Sequence, residues 1–241
     1  MKLAALYDVH GNLPALEAVL AEIKKHEIDQ IIVGGDLVLG PMSAECVDLM
    51  LSVDIPVHFI RGNCESAILN CKSGQEMKLP VDVIEDVNWT YNQLQPNHID
   101  LIRSWPLTKN LNTTLGSILF CHATPWSEYE NFTKHTPSKK IESKFSAVDC
   151  EIVVCGHTHM QFDIAIGSKR IVNAGSVGMP FGSRGAYWLS IDEGINMKRT
   201  QYDYTYAADR ITATNYPHAK EFAKNSVLSP PSEEKMLKLL S

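Results

Sequence analysis

Residues 151–160 read EIVVCGHTHM. Ile152, Val153, Val154 and Cys155 form an apolar run of buried-strand length, Gly156 ends it, and His157 and His159 follow with one residue between them. A lone histidine after a buried strand is ordinarily a satisfied packing residue. Two imidazoles one residue apart in extended backbone point to the same side, so each can offer a nitrogen to one pocket.

Four other apolar runs end on the same kind of residue. KLAALY (2–7) is followed by Asp8-Val9-His10-Gly11-Asn12, QIIVG (30–34) by Gly35-Asp36, VHFIR (57–61) by Gly62-Asn63-Cys64-Glu65, and SILFC (117–121) by His122. Helical patterns separate the first three runs. Asn12 is placed to cap LPALEAVLAEIKK, whose Leu13, Leu16, Val19, Leu20 and Ile23 share a face, and SAECVDLMLSV supplies a second helix. Strands alternating with helices imply parallel pairing and right-handed crossovers, hence an α/β fold. In such sheets ligands bind beyond the carboxyl ends of the strands, so residues from 8 to 159 can converge on one site. Glycines at 11, 35, 62 and 156 would let the backbone approach a ligand closely.

The alternation breaks at about 66–112. There VDVIEDVNWTYNQLQPNHIDLIRSWPL reads as two helices interrupted at Gln95–Pro96, expected to be a cap-like insertion in a single domain spanning 1–241. From residue 117 onward SILFC, EIVVCG, MQFDIAI, RIVNAG, AYWLSID and INMKRTQYD read as short strands of a largely antiparallel or mixed sheet. After about residue 203 a polar, proline-containing tail is expected to hold one helix near His218–Asn225.

A chain of 241 residues with 44% hydrophobic and 21% charged residues can bury a substantial core. Net charge is −6 without a Lys/Arg block, so nucleic acid is not expected as a main partner. No run reaches the length of a membrane span, and the first apolar stretch is too short for a secretory leader. The six cysteines form no CxxC pair and read as reduced thiols of a cytoplasmic protein.

Asp8, His10, Asp36, Asn63, His122, His157 and His159 are the candidate metal ligands. This mixed oxygen and nitrogen set suits Mn, Fe or Zn better than Ca or Mg. Seven donors exceed one tetrahedral ion and suit two ions sharing a carboxylate, with Asp8 and His10 on one ion and His157 and His159 on different ones. Paired divalent ions activate a water for in-line attack on phosphoesters and neutralise charge on the phosphoryl oxygens, which lets an acidic chain bind an anionic substrate. Taken singly, DVH, GD and GN are ordinary turns. Their joint occurrence in this order, each time after an apolar run, is what carries the site. Histidines 26, 58, 98, 135 and 218 have no such context and read as packing or surface residues; Trp89, Ile99 and Trp105 read as core, and Lys139 and Lys140 as a solvated face. Arg61 and Arg184 read either as phosphate contacts or as surface residues.

The motifs DVH (8–10), GD (35–36), GNCE (62–65), His122 and GHTH (156–159) resemble those of the calcineurin-like metallophosphoesterase superfamily, over roughly residues 1–190. NWTYNQLQPNHIDLIRSWPL and VNAGSVGMP are similar to the linking helices and loop of its bacterial and archaeal predicted phosphodiesterase group. The resemblance implies a four-layer α/β/β/α sandwich of two mixed β-sheets with a small inserted helical segment. It implies Asp8, His10, Asp36 and His159 around one metal and Asp36, Asn63, His122 and His157 around the other, with Asp36 bridging. Two divalent ions are expected, manganese first, with iron, zinc or nickel as alternatives.

Cys64 stands where the wider superfamily usually has a histidine, and Glu65 would orient that histidine in relatives. A thiol is a poorer proton donor than imidazole, so a bias toward activated esters or phosphodiesters is expected. Cys64 and His122 are the candidates for catalytic roles, and Asn63 and Arg184 for contacts with substrate. The function so implied is hydrolysis of a phosphodiester or nucleotide-type small substrate by a dimetal-bound hydroxide. Alternatives are a phosphomonoesterase, a protein phosphatase or a dinucleoside polyphosphate hydrolase, and, in another class, a phosphoester-binding protein without turnover. The HxHxDH cluster of metallo-β-lactamase-type hydrolases is absent.

Overall fold

The structure is a computed structural model that describes residues 1–72 and 78–241. Residues 73–77, within the expected insertion, lie outside the described residues.

Strand β1 (Leu3–Leu6) shows why the first run is apolar throughout. Ala4 and Leu6 face a helical layer, while Leu3 and Ala5 face a second sheet, so neither side of the strand meets water. It pairs in parallel with β2 (Gln30–Val33), which pairs in parallel with β3 (Val57–Phe59). The second sheet holds β4 (Thr108–Thr113), β5 (Gly116–Cys121), β6 (Ile152–Cys155), β7 (Phe162–Ile166) and β8 (Lys169–Asn173). Strands β9 (Ala186–Ile191) and β10 (Ile195–Thr200) then return antiparallel to the first sheet. The orders are β10-β9-β1-β2-β3 and β4-β5-β6-β8-β7, with β5, β6 and β8 parallel.

The helices are α1 (Leu13–Ile23), α2 (Ser43–Leu51), α3 (Asn63–Asn70), α4 (Val81–Gln93), α5 (Pro96–Ser104), α6 (Ser138–Phe145), α7 (Tyr204–Thr212), α8 (Ala219–Phe222) and α9 (Glu233–Leu240). Asn12 caps α1 by accepting from the Ala15 amide at 3.3 Å. Leu16 and Val19 of α1, Val47 and Met50 of α2 and Ile211 of α7 pack with Trp188 on the outer face of the first sheet. Tyr7, Ile32, Phe120, Val154 and Leu189 fill the space between the sheets. Ile141 and Phe145 of α6 join Phe132, Val153 and Ile171 on the outer face of the second. The result is the four-layer α/β/β/α sandwich of two mixed sheets expected from the resemblance.

Two regions differ from the sequence reading. Strand β4 follows directly on the two expected helices and occupies the end of the expected insertion, running one residue past it. Its residues TKNLNT are polar and partly exposed, and among the described residues it is an edge strand paired only with β5, so no apolar alternation announces it. Helix α3 also starts earlier than that stretch, at Asn63 itself. The break between α4 and α5 does fall at Leu94–Gln95, both extended. A residue before proline is disfavoured in the helical region, and Pro96 at the first position of α5 gives up no hydrogen bond.

The tail holds α7, α8, a π-helical turn (Ala223–Leu228) and α9 rather than one helix. Helix α7 buries only Ala207, Ala208 and Ile211, a weak apolar signal, and is capped by Asp203, which accepts from the Tyr206 amide at 2.9 Å. Arg210 of α7 pairs with Glu17 of α1. Among the described residues, no helix is long and apolar enough to cross a membrane.

Candidate metal centre

Parallel β1, β2 and β3 in one sheet and β5 and β6 in the other end on the same side, and the segments after them interlock. The Asp8 amide donates to Gly35 O (3.1 Å), the His10 amide to Asp36 O (2.9 Å), and the Gly156 amide to His122 O (2.8 Å). The His157 amide donates to Asp8 Oδ2 at 2.8 Å, joining the two sheets at their ends. A side chain at Gly62 would come 2.2 Å from Asp36 Oδ1, and one at Gly156 would come 2.5 Å from Asp8 Oδ2. These two positions must be glycine for the carboxylates to sit where they do.

Five of the seven candidate ligands adopt left-handed backbone: Asp8 (φ 54°), His10 (47°), Asp36 (53°), His157 (68°) and His159 (59°). Side-chain-bearing residues rarely occupy this region, at about 1–3 kcal/mol each, and such outliers concentrate at functional sites.

The side chains converge. His10 Nε2 and His159 Nε2 are 3.2 Å apart, and Asp8 Oδ1 lies 3.3 Å from His159 Nε2 and 3.9 Å from His10 Nε2. On the other side His122 Nε2 lies 3.0 Å from Asn63 Oδ1 and 3.4 Å from Asp36 Oδ2, and Asp36 Oδ2 lies 3.8 Å from His10 Nε2. Asp36 therefore stands between the two groups. Asp8, His10 and His159 could hold one ion, and Asp36, His122 and His157 another. Asp8 Oδ1 and His157 Nε2 are buried with no hydrogen-bond partner among the described residues. Orphaned buried acceptors are costly unless something fills the gap. An ion with octahedral ligands at about 2.1 Å has ligand-to-ligand edges of about 3 Å, close to the four spacings of 3.0–3.4 Å above, while His10 lies farther from Asp8 and Asp36, at 3.9 and 3.8 Å. The residues fit a pair of divalent ions.

Outer hydrogen bonds aim the rings. His122 Nδ1–H donates to Gly34 O (3.0 Å) and His159 Nδ1–H to Met179 O (2.7 Å), so each turns its Nε2 toward the cluster. Burial pushes His10 down to about 4, and burial with the nearby His122 does the same to His157, so both are neutral imidazoles with free lone pairs at neutral pH. Burial also opposes charge on His122, but Asp36 beside it outweighs that and lifts it to about 10. Burial works against the charged carboxylates, yet His159 holds Asp8 and His122 holds Asp36 below the usual range. Two carboxylates thus stay ionised in a buried pocket, which is the electrostatic condition for taking up cations.

Residues 1–194 match the family model described as a calcineurin-like phosphoesterase superfamily domain. The chain belongs to the calcineurin-like phosphoesterase superfamily. It is 26% identical over 240 residues to the protein MJ0912 of Methanocaldococcus jannaschii, covering 89% of this chain and 93% of that one. Its fold is similar to that of the hypothetical protein PH1004 of Pyrococcus horikoshii OT3 (TM-score 0.83, 21% identity, 96% and 99% of the two chains). It is also similar to that of a metallophosphoesterase of Sphaerobacter thermophilus (TM-score 0.72, 23% identity, 93% and 97%).

Within this superfamily frame the remaining singled-out residues take particular places. Cys64 is buried; its thiol donates to Asp36 Oδ2 (3.1 Å), its amide donates to Asp36 Oδ1 (2.8 Å), and burial with the Asp36 charge pushes the thiol well up. Glu65 has a part that the sequence did not disclose. Its carboxylate accepts from the amides of Gly62, Asp36 and Leu37 at 2.8 Å and of Val38 at 3.2 Å, lashing the segment after β2 to the start of α3. Burial and Asp36 push Glu65 up to about 7 while those amides pull the other way.

The VNAGSVGMP loop is likewise structural. Asn173 donates to Gly156 O (2.6 Å), Ser176 Oγ to Asp8 O (2.7 Å), and Gly178 O accepts from Asn12 (2.9 Å). Phe181, unremarked in the sequence, stacks on His159 at 5.1 Å. Arg184 is not brought to the cluster. It stacks on Tyr204 at 4.7 Å and lines a separate cavity with Arg199. Arg61 Nε is buried without a hydrogen-bond partner among the described residues. His98 pairs with Asp48 (2.9 Å), His58 with Gln30 (2.9 Å) and His218 with Asp86 (2.8 Å).

Proposed function

We propose that the chain is a hydrolase that cleaves phosphodiester or nucleotide-type substrates with the aid of two divalent ions. The observation that supports this best is the pair of donor groups meeting at Asp36, with Asp8 Oδ1 and His157 Nε2 buried and unsatisfied beside them. Asp8, His10 and His159 would hold one ion and Asn63, His122 and His157 the other, with Asp36 placed to serve both. When bound, such a pair supplies Lewis acidity to the phosphoryl oxygens and lowers the pKa of a coordinated water toward neutrality. Manganese is the first choice for this donor set, with iron, zinc or nickel as alternatives.

The protein's own groups set up the rest. The Gly34 and Met179 carbonyls keep the His122 and His159 rings aimed. Glu65 fixes the Asp36 backbone, and the Cys64 thiol holds one Asp36 oxygen. Cys64 is too weak an acid to protonate a strongly basic leaving group, which favours activated esters and phosphodiesters over simple alkyl monoesters. Helices α4 and α5 belong to the same single domain and shape the approach to the ions.

The test is metal analysis of the purified protein followed by hydrolysis of bis(p-nitrophenyl) phosphate with manganese and after chelation. About two equivalents of metal and hydrolysis that chelation abolishes are expected. Hydrolysis undiminished by chelation would overturn the proposal.

A further inference from the structure

A cavity of about 300 Å³ opens beside His10. One wall is Val83 and Asp86 of α4, another is Glu221 and Phe222 of α8, and Leu39 and Met179 close it toward the metal ligands. Its size is at the lower end of small-molecule sites.

Leu39 marks this wall as more than packing. Its backbone is left-handed (φ 70°), a conformation a branched side chain rarely accepts. Among the described residues, the other side-chain-bearing positions in that region are Glu27, in the turn after α1, and the five candidate ligands. The strain that positions Asp8 and His10 extends to one further residue, and that residue faces the cavity.

The lining has a definite chemistry. Leu39, Val83, Met179 and Phe222 offer apolar and thioether surface, and the ring of Tyr216 meets Phe222 edge-on at 6.2 Å. Such walls suit a flat ring. The Asp86 and Glu221 carboxylates are acceptors for N–H groups; Asp86 already engages His218 (2.8 Å) and Tyr216, which leaves Glu221 as the carboxylate open to a ligand. Among the described residues, no lysine or arginine lines the cavity, and His218 is already engaged by Asp86 at 2.8 Å, so a second phosphate would face the Asp86 and Glu221 carboxylates without a free cation.

We propose that this cavity receives the organic group of the phosphoester, and that this group is compact, flat and uncharged, of the nucleoside class. The proposal rests on the phosphoesterase reading above and sharpens it: a nucleoside monophosphate ester is selected over a polyphosphate.

The experiment compares kcat/KM for thymidine 5′-(p-nitrophenyl) phosphate and methyl p-nitrophenyl phosphate in the manganese-loaded protein and its Val83→Trp variant. The thymidine-to-methyl ratio is expected to fall at least tenfold in Val83→Trp, whose tryptophan fills the cavity; an unchanged ratio overturns the proposal. Glu221→Lys, an exposed change that leaves folding intact, is expected to improve a thymidine ester carrying a 3′-phosphate several-fold relative to the unmodified one; no improvement likewise overturns it. Ligand-observed NMR of thymidine with metal-stripped protein separates this inference from the one beneath it. Thymidine binding to the wild type but not to Val83→Trp, with no ester hydrolysed by either, would sink the phosphoesterase reading and leave the cavity assignment standing. Equal thymidine binding by both would sink the cavity assignment alone.

Discussion

The donor cluster and the cavity beside it share His10 yet are built in opposite ways. The cluster is made of backbone segments that follow buried strands, held by amide-to-carboxylate and amide-to-carbonyl bonds, with strain at five candidate ligands. Apart from Leu39 and Met179 on the side of the cluster, the cavity is walled by side chains from α4, α8, the residues before it and the π-helical turn, which lie outside both sheets. Where the chemistry is demanding, the fold over-determines each atom. Where, on the proposal above, a substrate would be told from its neighbours, the walls come largely from helices that can change without disturbing the sheets.

That contrast predicts that changes in the cluster act on turnover by orders of magnitude, whereas changes in the walls act on selectivity. Asp36→Asn tests it at its strongest. Loss of the shared carboxylate charge should reduce kcat/KM on the order of 1,000-fold, read with a chromogenic diester. A fall of less than tenfold would mean that Asp36 does not join the two halves.

Metal removal comes next. Chelation should lower stability by about 3–4 kcal/mol for each ion bound at 100–1,000 times its dissociation constant, since binding to the folded state alone stabilises it by mass action. Calorimetry with and without a chelator reads this out, and an unchanged Tm would break the link between strain and metal.

Cys64→His probes the border between turnover and selectivity. An imidazole there should raise the rate for esters with poor leaving groups about tenfold relative to p-nitrophenyl esters. An unchanged preference would show that Cys64 serves only to hold Asp36.

The smallest effect lies in the outer wall. Asp86, pushed up by burial and pulled back by His218, shares a hydrogen bond that raises the His218 pKa. A raised histidine pKa stabilises the fold fully below the ordinary imidazole range near about 6.5, and that stabilisation fades as pH rises through the higher folded value. The Tm gap between wild type and His218→Ala should therefore be wider at about pH 6 than at about pH 9, while kcat changes little in comparison with KM.

The sandwich was legible because central strands of two stacked, covered sheets are apolar on both faces, as LAAL, IVVC and Ile31–Val33 of QIIV are. The cluster was legible because metal-binding residue types are rare immediately after such runs. What stayed hidden had no such signature. Strand β4 draws its place from pairing with β5 alone. Helix α7 is held by alanines and a single isoleucine. Glu65 acts through four backbone amides, partners that no side-chain pattern can announce. Arg184 sits close to the site in sequence but is turned away onto Tyr204.

The left-handed ligands set a conflict for anyone wishing to toughen this protein. Glycine would relax the chain at Asp8, His10, Asp36, His157 or His159, and a search guided by melting temperature alone would converge on those positions. Each improvement in heat resistance gained there would erase a donor, so selection for durability and selection for turnover pull this corner of the molecule in contrary directions.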